Sequence, residues 1–327
     1  MRRRDFIALL GGLATSTTVA AAARSSSQPI IGFLASGSVE MFTNQLTKFR
    51  LGLSETGFVE GQNVRVEYRW AQGHFDRLPA LATDLVGLQV AAIAATGGSA
   101  PAQAAKAATT KIPIVFTSAD DPVELGFVKA LNHPGGNMTG VSMFTGSLAP
   151  KRLELLHELA PDARTVAFLV DPKNPTAHLQ QTQAQAAAKT LGLQMQVLTA
   201  GTEAEIEMAF TNMIQRRAEA ILVGDSPFFL GGRDKLIALC AQHAIPAIFQ
   251  WREYVVAGAL MSYGTSLAAA YRQLGVYIGR ILHGERPADL PVMQPSVFEL
   301  VVNLKTAKAL GFVIPPSVLA QTDEVIE

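Results

Sequence analysis

The chain has 327 residues, 49% of them hydrophobic and 17% charged. That excludes a disordered polymer and exceeds one ordinary core, so two domains are expected. Lys plus Arg and Asp plus Glu both number 27, so the sequence lacks the basic excess of a nucleic-acid-binding surface, and the single cysteine, Cys240, excludes an intramolecular disulfide or a cysteine-cluster metal site.

The first segment reads as an address. Arg2, Arg3 and Arg4 precede a diluted apolar run from Phe6 to about Val19, and Ala21-Ala22-Ala23 offers a small-residue cleavage site. Arg3-Arg4-Asp5-Phe6-Ile7 is similar to a twin-arginine motif, with the Sec route as the alternative. Residues 1–27 are therefore expected to be an export signal cleaved near Ala23. The run is short for a membrane span, and no cysteine follows it for lipid attachment. The expectation is a periplasmic protein without stable membrane insertion. Its mature form is slightly acidic, because cleavage removes Arg2, Arg3, Arg4 and only one acid, Asp5.

From Pro29 onward, buried strands alternate with amphipathic helices. Ile30–Leu34 is a continuous apolar run suited to a parallel strand covered on both faces. Phe42, Leu46, Phe49 and Leu53 follow at helical spacing, and Val64–Tyr68 alternates like a half-buried edge strand. Leu78, Leu81, Ala82 and Leu85 predict a helix. Val90–Ala95 and Ile112–Phe116 predict two more strands. The order then returns. Thr165–Val170 reads as a strand, and Asn174 as the N-cap of an Ala/Gln-rich helix with Pro175 at its first position. Gln194–Leu198, a helix through Ile206 and Met213, and strands at Ala220–Val223 and Ala247–Phe249 complete the second round. Leu267, Tyr271, Leu274, Ile278 and Ile281 mark a further helix, and Phe298–Leu304 one more strand.

The two rounds share residues as well as order. Ile112-Pro113-Ile114-Val115-Phe116 parallels Ile245-Pro246-Ala247-Ile248-Phe249, and Ile31-Gly32-Phe33-Leu34 parallels Val166-Ala167-Phe168-Leu169. The period, near 130 residues, is too long for a solenoid and fits two related Rossmann-like α/β lobes with parallel sheets.

Ligands of open parallel sheets bind beyond the C-terminal strand ends. Those positions hold Ser36, Ser38, Thr96, Gly97, Ser118 and Asp120 in the first round, and Asp171, Asn174, Asp225, Phe228 and Trp251 in the second; Tyr263 follows another short apolar run. Hydroxyls and backbone N–H groups at helix starts suit an anionic group, carboxylates a cationic one, and the aromatics an apolar wall. The same polar residues also serve as N-caps and turn formers, and the aromatics as core. There is no G-x-G-x-x-G or Walker-type loop and no G-x-S-x-G elbow. The six histidines lack metal-ligand spacing, and Cys240 reads as a buried thiol. No catalytic residue, metal or cofactor is expected.

The chain resembles the periplasmic substrate-binding proteins of ABC transporters, in the group that includes tryptophan-binding members. The resemblance rests on Gly57-Phe58-Val59-Glu60-Gly61-Gln62-Asn63-Val64, Asp121-Pro122-Val123, Pro134-Gly135-Gly136-Asn137-Met138-Thr139-Gly140-Val141, Val302-Asn303-Leu304-Lys305-Thr306-Ala307 and Leu310-Gly311-Phe312-Val313-Ile314-Pro315-Pro316. It implies a type I periplasmic-binding fold, with two lobes joined by hinge strands around a ligand cleft. It implies lobes made of 28–145 plus about 262–288 and of 146–261 plus about 289–327. Thr96 and Asp225 match ligand positions of the tryptophan-binding relatives, whose Asn-Pro turn is Asp171-Pro172 here. The resemblance further implies a monomeric, non-enzymatic receptor that delivers a small organic ligand, amino acid or aromatic or carboxylate-bearing compound, to an ABC membrane permease. An exported two-lobed enzyme and a sensory module of the same fold are the alternatives.

Overall fold

The computed structural model describes residues 28–295 and 297–327; the expected export signal lies outside the described residues. The first sheet is parallel throughout. It is built from β1 (Ile30–Ala35), β2 (Arg65–Trp70), β3 (Ala92–Thr96), β4 (Ile114–Ser118) and β5 (Met138–Ser142), in the order β2-β1-β3-β4-β5. The continuous apolar runs of β1, β3 and β4 occupy its buried interior, and alternating β2 takes an edge. Three helices follow these strands: α1 (Thr43–Ser54), α2 (Leu78–Gly87) and α3 (Ser99–Ala108). The sequence reading has no strand at β5. Its polar residues hide the pattern because they are buried and bonded: Thr139 donates to the Leu290 carbonyl at 2.7 Å and Ser142 to that of Asp120 at 3.1 Å.

The second sheet repeats this order and extends it. Its strands are β6 (Thr165–Val170), β7 (Gln194–Thr199), β8 (Ala220–Val223), β9 (Ala247–Phe249), β10 (Met261–Thr265), β11 (Phe298–Asn303) and β12 (Glu324–Ile326), in the order β12-β11-β10-β9-β8-β6-β7. Among the described residues, only β10 and β11 pair antiparallel. β6 lies between β7 and β8 as β1 lies between β2 and β3, so the sequence doubling is a doubling of topology. The helices from α4 (Ala149–Leu159) on are α5 (Ala177–Thr190), α6 (Glu203–Gln215), α7 (Pro227–Gly231), α8 (Arg233–Gln242), α9 (Arg252–Val256) and α10 (Leu267–Leu282).

Two details differ from the sequence reading. First, α5 starts at Ala177 with Thr176 at its N-cap, not at Pro175. The Asn174 side chain instead closes a turn, accepting the Thr176 backbone N–H at 3.1 Å. Second, the chain changes lobes at other points than about 262 and 289. β10 is a strand of the second sheet, held there by β9 and β11. The chain then returns as α10, which packs along α1 of the first lobe. Gly52 and Gly275 permit that approach, since a Cβ on either would strike the partner helix's backbone, at Arg272 and Phe49. Leu267, Tyr271, Leu274 and Ile278 are buried in the contact, each contributing about 1.5–3 kcal/mol by burial. Residues after α10 stay with the first lobe as far as Met293, which bridges to Val141.

Candidate functional site

The strand ends of the two sheets face one another. Gly97, Gly98 and Thr117 of the first lobe and Asp225, Ser226 and Trp251 of the second line one interlobe cavity, with Phe42 and Tyr271 as aromatic walls. The cavity measures about 40 Å³, room for a few waters at about 10–15 Å³ each. Gln45 and Leu230 connect it to a wider groove of about 410 Å³ between the lobe rims. The lobes meet closely. A Cβ on Gly231 would collide with Met41.

On the first-lobe side, β3 runs into α3 through Gly97 and Gly98, both with positive φ (85° and 94°). A Cβ at Gly97 would also strike the Ser36 hydroxyl and Phe42, so glycine is required there twice over. The hydroxyls around this turn are engaged internally. Ser36 donates to the Gly97 carbonyl at 2.6 Å. Thr96 pairs with Thr117 at 3.0 Å and with the Tyr271 hydroxyl. Ser99 donates to Asp120 Oδ2 at 2.9 Å, and Ser118 Oγ lies 2.9 Å from Ser99 Oγ and accepts the Asp120 backbone N–H at 3.2 Å. Asp120 thus sits at the start of α3, and its burial raises its pKa against the opposing effect of Ser99 and Thr176. Ser38 lies outside the cavity, its N–H directed to Met41 Sδ at 3.4 Å.

On the second-lobe side, the backbone of Asp225 is pinned. Asn174 Nδ2 and Gln180 Nε2 each donate to its carbonyl at 2.9 Å, and Gln180 Oε1 accepts its N–H at 2.8 Å. Asp171 shapes the neighbouring turns, accepting the Lys173 N–H at 2.9 Å and the Ser226 hydroxyl at 2.7 Å. The Asp225 carboxyl is left to the cleft. Desolvation, then the Asp120 charge across the cleft, push its pKa up to about 7, while Arg152 and the Trp251 side chain act the other way. Arg152, 4% exposed, lines a second cavity together with Asp225. Its Nη2 donates to the Thr145 carbonyl, but Nε and Nη1 have no partner. Burial lowers its pKa to about 10, opposed by Asp225.

The structure therefore gathers Gly97, Asp225 and Trp251 at the cavity, with Thr96, Ser36, Ser118, Asp120, Asp171 and Asn174 supporting the turns behind it. Phe228 packs on Phe229 with ring centroids 5.5 Å apart, and Tyr263 stacks on Phe298 at 6.2 Å; neither lines the cavity. Cys240 is buried, and desolvation pushes its thiol up to about 12. Sequence reasoning missed Arg152, Gln180 and Tyr271. Arg152 had a signal, since it stands on the apolar stripe of Ala149, Leu153, Leu156 and Leu159, where an unpaired arginine is costly. Tyr271 read as one more apolar stripe residue, and only its hydroxyl distinguished it.

The chain as a whole is similar to known proteins. A tyrosine-binding protein of Clostridioides difficile is 27% identical over 80% of this chain and 75% of its own length. The crystal structure of an ABC domain in complex with L-Trp from Streptococcus pneumonia covers 92% of this chain and all of its own, at 26% identity and a TM-score of 0.81. The ligand-free, open structure of a substrate binding protein with adhesive properties from Clostridium difficile covers 91% and 99% of the two chains, at 26% identity and a TM-score of 0.65. The expected fold stands: two lobes of mostly parallel sheet in the type I periplasmic-binding arrangement. The family profile described as ABC transporter substrate binding protein matches residues 40–326, and the chain belongs to that family.

Proposed function

We propose that this protein is an extracytoplasmic receptor that closes its two lobes on an amine-bearing small organic ligand, such as an aromatic amino acid, and delivers it to an ABC permease. The observation that carries this reading is Asp225. Its backbone is fixed by Asn174 and Gln180, while its carboxyl faces the cleft beside Trp251 with its pKa raised. A ligand ammonium placed there would stabilise the ionised form. The first-lobe glycine turn at Gly97 and Gly98 offers backbone N–H groups at the start of α3 for a carboxylate. Phe42, Trp251 and Tyr271 supply the apolar wall. The relatives named for tyrosine binding and crystallised with L-Trp support the ligand class. At about 40 Å³ the cavity is smaller than an amino acid, so entry requires the lobes to part.

Export through residues 1–27 by the twin-arginine route, a periplasmic location, a monomeric state and a permease partner belong to the same proposal. The non-enzymatic reading rests on the family. Its test is a thermal-shift and calorimetric screen of the purified protein against amino acids, aromatic acids and small carboxylates. A ligand of the folded state raises the melting temperature by mass action. Stabilisation by an aromatic amino acid is expected; turnover of a compound without any stabilising ligand would overturn the reading.

A further inference from the structure

Arg152 stands near the start of α4 and is 4% exposed. Its Nη2 donates to the Thr145 carbonyl, while Nε and Nη1 have no hydrogen-bond partner among the described residues. On α5, Gln183 Oε1 is buried and unpartnered as well. Both side chains line one cavity of about 20 Å³ at the end of β8, and Asp225 lines it with them. That is room for one or two groups the size of a water. A guanidinium held out of water with unmade hydrogen bonds is costly, so the space is built for an occupant that accepts them. Asp225 belongs to two cavities: this one beside Arg152, and the interlobe cavity beside Trp251. Opposite charges therefore border one space. A lone anion there meets the Asp225 carboxylate, and a lone cation meets the Arg152 guanidinium. A zwitterion satisfies both, and an α-amino acid carries its carboxylate one carbon from its ammonium.

We propose that the cavity at Arg152 is a carboxylate subsite, so that the second lobe alone reads the whole head group of an α-amino acid, Asp225 taking the ammonium and Arg152 the carboxylate. This rests on the receptor reading above and goes beyond it, because it requires both charges of the ligand on one lobe. The carboxylate accepts from the unused Nε and Nη1 donors of Arg152, and such charge-assisted bonds are the strong ones. A half-turn of the Gln183 amide brings its NH2 group to the same occupant. The bond from Nη2 to Thr145 holds the guanidinium in place while the other donors wait. The glycine turn of the first lobe is then left to close over the ligand, not to carry its charge. An amine without the carboxylate leaves Arg152 as it found it. A site built to hydrogen-bond a group rejects the analogue that lacks it, so the expected preference for the amino acid is about 100-fold or more.

The test is calorimetry of L-tryptophan against tryptamine, and of L-tyrosine against tyramine, on wild type, Arg152→Met and Arg152→Lys. Each pair differs by the carboxylate alone. Wild type is expected to prefer the amino acid, and Arg152→Met to lose most of that preference. Arg152→Lys should keep part of it, since an ammonium still donates but lacks the guanidinium's fixed fork. A role in packing alone would weaken acid and amine alike and leave their ratio unchanged. A second readout needs no variant to fold: in the wild type, the Nε–H resonance of Arg152 in 15N-arginine-labelled protein should shift with L-tryptophan and not with tryptamine. An undiminished preference in Arg152→Met, or an Nε–H resonance that bound L-tryptophan leaves in place, would overturn the subsite and leave the receptor reading standing. Absence of binding by every α-amino acid would overturn both.

Discussion

On the first-lobe wall of the cleft the hydroxyls already have partners; on the second-lobe wall the charged groups are left incomplete. Ser36 is spent on the Gly97 carbonyl, and Thr96, Thr117, Ser99 and Ser118 on one another, on Tyr271 and on the turn at Asp120. Buried Arg152 and half-buried Asp225 line one cavity, and Arg152 keeps Nε and Nη1 unpartnered there. The first wall is a rigid frame whose shape is fixed before any ligand arrives. The second wall is an electrostatic reader that remains costly until something neutralises it. Preorganised shape and incomplete charge are complementary ways to make binding specific.

Removing the reader breaks this contrast most severely. Asp225→Asn is expected to weaken an aromatic amino acid by about 30-fold or more, in line with the loss of one partner of a buried charged contact, as measured by calorimetry. Next comes the frame. Gly97→Ala forces a Cβ onto Ser36 and Phe42 at positive φ, and is expected to cost about 2 kcal/mol or more, or roughly 5 °C in a thermal melt. Tyr271→Phe removes the hydroxyl shared with Thr96. It should lower stability by about 1 kcal/mol and weaken binding less than Asp225→Asn does. Tyr263→Phe should change affinity by about twofold or less, because that ring stacks on Phe298 away from the cavity.

A pH series sharpens the same contrast. The pKa of Asp225 is raised to about 7, so the acid is ionised above that value and protonated below it. A ligand ammonium needs the ionised form. Affinity should therefore fall as pH drops below about 7, by up to about tenfold per unit, and Asp225→Asn should abolish the slope. The proton and the ligand cation then compete for one role.

Much of this architecture was legible in residue order. The apolar runs of β1, β3, β4, β6, β8 and β9 announce buried parallel strands, and their ends announce the cleft. β5 was hidden because Thr139 and Ser142 are buried through bonds to distant carbonyls. The lobe exchange at β10 was hidden because strand partners are set by long-range pairing, here with β9 and β11. The candidate site divides in the same way. Asp225 and Gly97 follow from position after a strand. The engagement of Ser36, Thr96 and Ser118 with neighbours, and the isolation of Arg152, depend on three-dimensional packing that spacing does not encode.

The most direct test of the account is a calorimetric comparison of L-tryptophan with indole-3-propionate, and of L-tyrosine with 3-(4-hydroxyphenyl)propionate, on wild type and Asp225→Asn at pH 8. Each pair differs by the amine alone. The account predicts that at least one amino acid binds the wild type, that its deaminated counterpart binds far more weakly, and that Asp225→Asn erases the difference. Equal binding of a pair, discrimination that survives in Asp225→Asn, or no binding by either amino acid would contradict it.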